Sequence, residues 1–301
     1  MLRPSQLVSV AALCWVALPR PAAAQETDPG SESAADKSLY TLWNPTPDDL
    51  LRDMDTDRPN ITNTPHTIDA GHWQLETGLL DYVHDRAGTA GSYVQSESWA
   101  VGQFNLRVGI FNQLELNVAV TAQDTDRVTD DSPDATVRAG GLGDTVVGGK
   151  INVWGDDARD APGTTALAIQ PQFKFPTARS GVGDGWFEFD VVAPFLCDLP
   201  AGAHLGLQPG VSHARNAENT AYTTGFPAAI SLDRTVIGEL DVYLEYAAEP
   251  TTERHERVPQ TLDVGGTLPL GRNAVIDAGA NLGLDRTAPN VEILTGISLR
   301  R

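Results

Sequence analysis

Cysteine, basic residues and long apolar runs are all scarce in this chain. It holds two cysteines in 301 residues. Cys14 falls inside an N-terminal stretch that reads as a cleaved leader, so Cys197 alone remains. That excludes an intramolecular disulfide and a thiolate metal cluster. Lys and Arg number 21 against 40 Asp and Glu. Loss of Arg3 and Arg20 with the leader leaves 19 basic against 40 acidic residues, a net charge of −21. This argues against nucleic acid and anionic headgroups as partners. Beyond the leader no stretch reaches the roughly 18 apolar residues that a membrane-crossing helix needs. The spanning structure left open is a closed β-barrel, whose strands hide half their polar side chains in the lumen.

The leader has three parts. Arg3 gives a positive start, Leu7 to Leu18 form an apolar run, and Ala22, Ala23 and Ala24 offer small residues for cleavage. This is the pattern of a secretory signal peptide over residues 1–24. Residues 25–70 read as an N-terminal periplasmic segment, polar at first. Thr46, Pro47, Asp48 and Asp49 then resemble a helix start, and Leu50, Leu51 and Met54 give one apolar side to a short helix near 47–54. Pro59 and Pro65 exclude regular structure after it.

From Gly71 the period becomes two. Trp73, Leu75, Thr77 and Leu79 alternate with Gln74, Glu76 and Gly78. Leu114, Leu116, Val118 and Val120 alternate with Glu115, Asn117, Ala119 and Thr121. Leu240, Val242, Leu244 and Tyr246 alternate with Asp241, Tyr243 and Glu245, and Val291, Ile293, Ile297 and Leu299 alternate with Glu292, Ser298 and Arg300. Twelve such segments fall near 72–83, 94–108, 112–123, 142–154, 164–175, 185–197, 203–213, 221–232, 237–247, 259–269, 273–284 and 290–300. Each is near the ten residues that cross a bilayer as a tilted strand. Tight turns at 110–112, 233–236 and 270–272 suit the periplasmic side, and the polar links 124–141 and 248–258 suit outer loops. Residues 155–163 are an exception, long on the periplasmic side.

The expected fold is therefore all-β: a transmembrane antiparallel up-and-down barrel of about 12 strands over residues 71–301. A soluble β-sandwich also alternates. Its strands are typically about 5–6 residues long, however, and here the apolar faces carry almost no charge, Asp81 excepted. The opposite faces hold the lumen candidates Glu76, Glu115, Lys150, Lys174, Glu188, Asp190, Glu239, Asp241, Glu245, Asp263, Asp277 and Glu292. With Asp144 added, acids outnumber the inward bases Arg107, Lys150, Lys174 and Arg300, which predicts an acidic lumen.

Two motifs carry possible chemistry. Asp57, Arg58 and Pro59 read either as the tether of a lumen plug, with Arg58 pairing an inward acid such as Glu76, or as an ordinary turn into the first strand. Gly141, Leu142, Gly143 and Asp144 lack the helix that a phosphate loop needs and read as a bend entering a strand. His66, His72, His84, His204, His213 and His255 have no metal spacing, so no metal or cofactor is expected.

The run Thr56-Asp57-Arg58-Pro59-Asn60-Ile61-Thr62, then Pro65 and Gly71-His72-Trp73-Gln74-Leu75-Glu76-Thr77-Gly78, resembles the opening of a transporter-like outer-membrane barrel family labelled "putative MetA-pathway of phenol degradation". Gly141-Leu142-Gly143-Asp144 with Gly148 and Lys150, Phe173-Lys174-Phe175-Pro176-Thr177, and Asn281-Leu282-Gly283-Leu284 with Gly296-Ile297-Ser298 resemble its later motifs. The leader and the barrel pattern point to a Gram-negative-type outer membrane, and the resemblance implies an outer-membrane barrel with a transport role; no enzymatic activity is expected. Small-molecule solutes are the implied cargo, aromatic or hydrophobic compounds by the label. The expected partners are outer-membrane lipids and the barrel-assembly machinery. The alternatives are a lipid-acting hydrolase using outer-end residues such as His84, His213 and Ser92, and a structural barrel with a blocked lumen.

Overall fold

The computed structural model describes residues 36–89, 92–130, 136–157, 163–179, 182–216, 219–253 and 257–301. The leader expected over 1–24 lies outside them, as does His255. Fifteen strand segments occur in chain order: β1 (Trp73–Thr89), β2 (Ser92–Phe111), β3 (Leu114–Asp130), β4 (Thr136–Gly141), β5 (Thr145–Trp154), β6 (Thr165–Phe175), β7 (Glu188–Val192), β8 (Phe195–Leu199), β9 (Ala203–Arg215), β10 (Tyr222–Gly225), β11 (Ala228–Ile237), β12 (Leu240–Ala248), β13 (Gln260–Pro269), β14 (Ala274–Gly283) and β15 (Val291–Arg300). Three pairs are halves of interrupted strands. β4 and β5 both pair with β3, β7 and β8 both bridge β6 to β9, and β10 and β11 both pair with β9. Pro194 and Pro227 sit in two of these breaks, where a residue without an N–H cannot continue the ladder. All pairings are antiparallel, and β15 pairs with β1, so the sheet closes as a twelve-stranded barrel.

The barrel is inside-out relative to a soluble protein. Arg107, Lys150, Glu76 and Glu115 are at most 1% exposed, while Leu116, Ile151 and Leu244 are each more than half exposed. An exposed apolar belt around a charged interior suits lipid outside and water inside, and it rules out the sandwich reading.

Three expectations are corrected. The helix near 47–54 is a single 3-10 turn, Asp48–Leu50, with Leu51 already extended. A second turn cannot form because the Arg52 N–H donates to Asp69 Oδ2 at 2.9 Å and so leaves the helical ladder. The link 124–141 is mostly sheet, since β3 continues to Asp130 and β4 begins at Thr136. β1 to β3 are 17, 20 and 17 residues long, well beyond the roughly 9–11 that cross a bilayer. Asp81 is no charge on the apolar face. A bulge between Gly78 and Leu80 inserts one residue, leaving Leu79 and Leu80 both exposed and shifting the phase of the rest of β1. Asp81 thereby turns inward and accepts a hydrogen bond from Gln103 at 3.2 Å, as a one-residue slip requires.

Candidate functional site

Residues 52–70 fold back into the barrel and form a plug. The segment is irregular, so its backbone groups need partners, and inward side chains supply them. Glu76 accepts the N–H of Asp57, Glu115 that of Ile68, and Gln208 that of Asn63. Glu245 uses both oxygens, taking the N–H groups of Ile61 and Thr62 at 2.7 Å each. Asn152 donates to Pro65 O, Gln74 to Asp55 O, and Arg300 to Arg52 O.

Two charge clusters anchor this plug. Arg107 grips Glu115 with Nε and Nη2 at 2.7 and 2.9 Å, and its Nη1 lies 2.8 Å from Glu76 and 3.4 Å from Asp57. Its Nη2 also donates to His66 O. Asp57 meets Lys150 at 2.6 Å. The second cluster sits at the short-turn end. Arg52 meets Asp69, Asp156 and Asp157, and Lys37 meets Asp69 and Asp157. Burial would raise Asp157, but the Arg52 charge and hydrogen bonds from Lys37, Asn112 and Arg52 outweigh it and hold its pKa at about 2. Burial pushes Asp156 up against the opposing pull of Arg52. The unusually long turn after β5 thus carries the acids that dock the plug.

The sequence-derived candidates separate by partner. Glu76, Glu115, Lys150 and Glu245 serve the plug, as above. Arg58 pairs with Asp277 at 3.2 Å and not with Glu76, while Pro59, joined to it by a cis peptide, is buried. Lys174 meets Asp184 and Glu188 at 2.6 Å and Asp144 at 3.9 Å. Gly141 ends β4 and Gly143 lies in the break before β5, where Asp144 accepts the N–H of Ala178. Asp190 faces inward from β7 opposite Ser212. Asp241 lines a cavity. Glu239 is exposed in the turn before β12 and takes no part in the lumen. Arg52, Asp69, Asp156 and Asp157 were not singled out from sequence. The signal available was the acidic pair in a turn too long for its side.

The plug bonds to strands around most of the ring but leaves one flank open. There a cavity of about 350 Å³ lies between residues 54–66 and β8, β9, β11, β12 and β13. Asp198, His204, Asp233, Asp241 and Tyr243 line its wall. His204 bonds Asp198 at 2.7 Å, and His66 on the plug side bonds Asp55 at 2.8 Å. Of the outer-end hydrolase candidates, His213 stacks on Tyr222 with centroids 4.9 Å apart and His84 Nδ1 has no hydrogen-bond partner. No three His, Cys, Asp or Glu groups converge as a metal site among the described residues.

A closed, lipid-belted barrel with a polar lumen and an N-terminal plug defines the class as outer-membrane-type β-barrel. The family described as "Putative MetA-pathway of phenol degradation" matches residues 56–300, and the chain belongs to it. Among solved structures it is similar to an outer membrane channel from Pseudomonas putida F1, at 14% identity, covering 76% of this chain and 95% of that one with a TM-score of 0.55. The NanC porin matches at 7% identity over 75% of this chain and 98% of its own, with a TM-score of 0.45. No curated protein matches the sequence.

Proposed function

We propose that the protein is an outer-membrane channel or transporter for small molecules, with an acidic lumen and a polar plug. One observation carries this reading: the plug leaves a lined cavity of about 350 Å³ against one flank of the wall. That volume lies at the lower end of small-molecule sites, about 300–1,000 Å³. Leu196 and Tyr243 supply apolar surface beside the carboxylates, which accommodates the aromatic compounds suggested by the family's description. Planar-bilayer conductance and liposome swelling test it. Wild-type protein should pass small solutes, and deletion of residues 52–70 should raise conductance severalfold. Silence from both proteins would refute a channel.

The bonds between plug and wall favour a second reading, a structural barrel whose lumen stays blocked. Conductance seen in the deletion but never in wild type would select it.

A further inference from the structure

Most inward acids are spoken for, by the plug or by a base. A set beside the plug is not. Glu245, Asp263, Asn281 and Glu292 are successive cross-strand partners on β12, β13, β14 and β15. Strands lie about 4.8 Å apart, so Asp263 to Glu292 spans about 10 Å. Like charges in adjacent cross-strand positions repel. At Glu245 the plug's Ile61 and Thr62 N–H groups compensate. Asp263, Glu292 and the neighbouring Asp81 each accept one hydrogen bond from a neutral side chain, Thr261, Asn281 and Gln103 respectively, but among the described residues no Lys, Arg or His forms a salt bridge with them.

A second observation points to a missing donor. Asn281 gives its Nδ2 to Glu292 at 2.7 Å, which fixes the amide's orientation. Its Oδ1 is sealed from water and has no hydrogen-bond partner, and the same holds for Asp263 Oδ1 and Asp81 Oδ1. Asp263 is fully buried and Asn281 is 8% exposed. Buried acceptor atoms left without a donor are costly unless something supplies positive hydrogen. The row is reachable from the lumen at Glu292 and Asp81, which are partly exposed, and sealed at Asp263. Its oxygens do not converge as a metal cage. An ammonium group fits this description, being a compact cation with three donors.

We propose that the row Asp263, Asn281 and Glu292, with Asp81 at its mouth, binds the ammonium group of a small amine. Under the channel reading, on which this rests for delivery of the ligand, the amine is a transported solute. In the complex the ammonium donates to Asn281 Oδ1 and sits between the Asp263 and Glu292 carboxylates, which offsets the repulsion along the row.

Calorimetric titration of the purified full-length barrel in detergent with 1,4-diaminobutane tests this, beside the uncharged 1,4-butanediol and magnesium chloride. The diamine should bind and the diol should not. Asp263→Asn and Glu292→Gln should each weaken binding about tenfold or more, the loss of a charge-assisted hydrogen bond. Asp49→Asn, a change to an exposed acid, should leave it unaltered. The unboiled compact band on a gel reports folding for each variant, and either of the two row variants suffices. No diamine binding to wild type, unchanged affinity in the folded row variants, or magnesium binding more tightly than the diamine would overturn the proposal. Diamine binding in a barrel that never conducts would refute the channel while upholding the site. Conductance without diamine binding would do the reverse.

Discussion

Arg107→Met should loosen the plug by about two orders of magnitude. Arg107 is 1% exposed and contacts Glu76, Glu115 and Asp57 as well as His66 O. Removing one partner of a buried ion pair costs about 3–5 kcal/mol, because the other charge stays buried. Lys150 remains 2.6 Å from Asp57 and 4.0 Å from Glu115, so we take the lower figure, about 3 kcal/mol. At about 1.4 kcal/mol per factor of ten, that shifts docking roughly 100-fold. A reporter thiol reads it out. Thr62 is 6% exposed and its hydroxyl has no partner, so Thr62→Cys in a Cys197→Ser background places a protected thiol on the plug. Its reaction with a water-soluble maleimide should run about 100-fold faster with Arg107→Met. Arg107→Lys, keeping charge but losing the two-pronged grip on Glu115, should fall between. An unchanged rate in a barrel that still runs compact unboiled would refute Arg107 as the plug's main anchor.

Other expectations are simpler to check. Leu116→Arg and Leu244→Arg place a charge on the lipid belt at a cost of about 2–4 kcal/mol; both should reduce the heat-modifiable, membrane-assembled fraction, and normal assembly would contradict the outward assignment. Asp157 has a folded pKa of about 2, below the ordinary value of about 3.9. The stability it contributes is present above that ordinary value and is lost as pH falls through 2. The gap between wild type and Asp157→Asn in urea unfolding should therefore narrow between about pH 4 and pH 2, and a gap constant with pH would count against the Arg52 contact. Arg58→Met should strand Asp277, and Asp277→Asn added to it should restore part of the lost stability, a coupling that a double-mutant cycle measures directly.

Strand number and facing were legible because lipid imposes them. Leu116 and Leu244 must alternate with Glu115 and Glu245 wherever one face meets hydrocarbon and the other water. What lipid does not dictate was less visible. The bulge at Leu79 leaves the local pattern apolar on both sides, so the inward turn of Asp81 shows only in the pairing with β15. Thr46, Pro47 and the acids after them satisfy every local rule for a helix. They yield to Asp69, a partner 17 residues from Arg52. The plug reading of Asp57 and Arg58 was open from sequence, but the choice of Asp277 over Glu76 depends on which inward acid lies nearest in space. Glu239 was misplaced because a tight turn extends the alternation by one position beyond the strand that produces it.

The plug's contacts are spread unevenly along the chain. Its segment is made before any strand, yet its partners are spread to the end of the chain: Ile61 to Glu245 spans 184 residues, Arg58 to Asp277 spans 219 and Arg52 to Arg300 spans 248. Arg107 and Glu115, only 8 residues apart, become neighbours as soon as the hairpin of β2 and β3 exists, so one end of the plug has a landing place early. The other end waits for β12 to β15, and contacts of such separation form last. A last strand slipped by one residue would turn Arg300 outward, and Arg52 O would lose its donor. Residues 52–70 are therefore engaged along their whole length only once the last strand is in place.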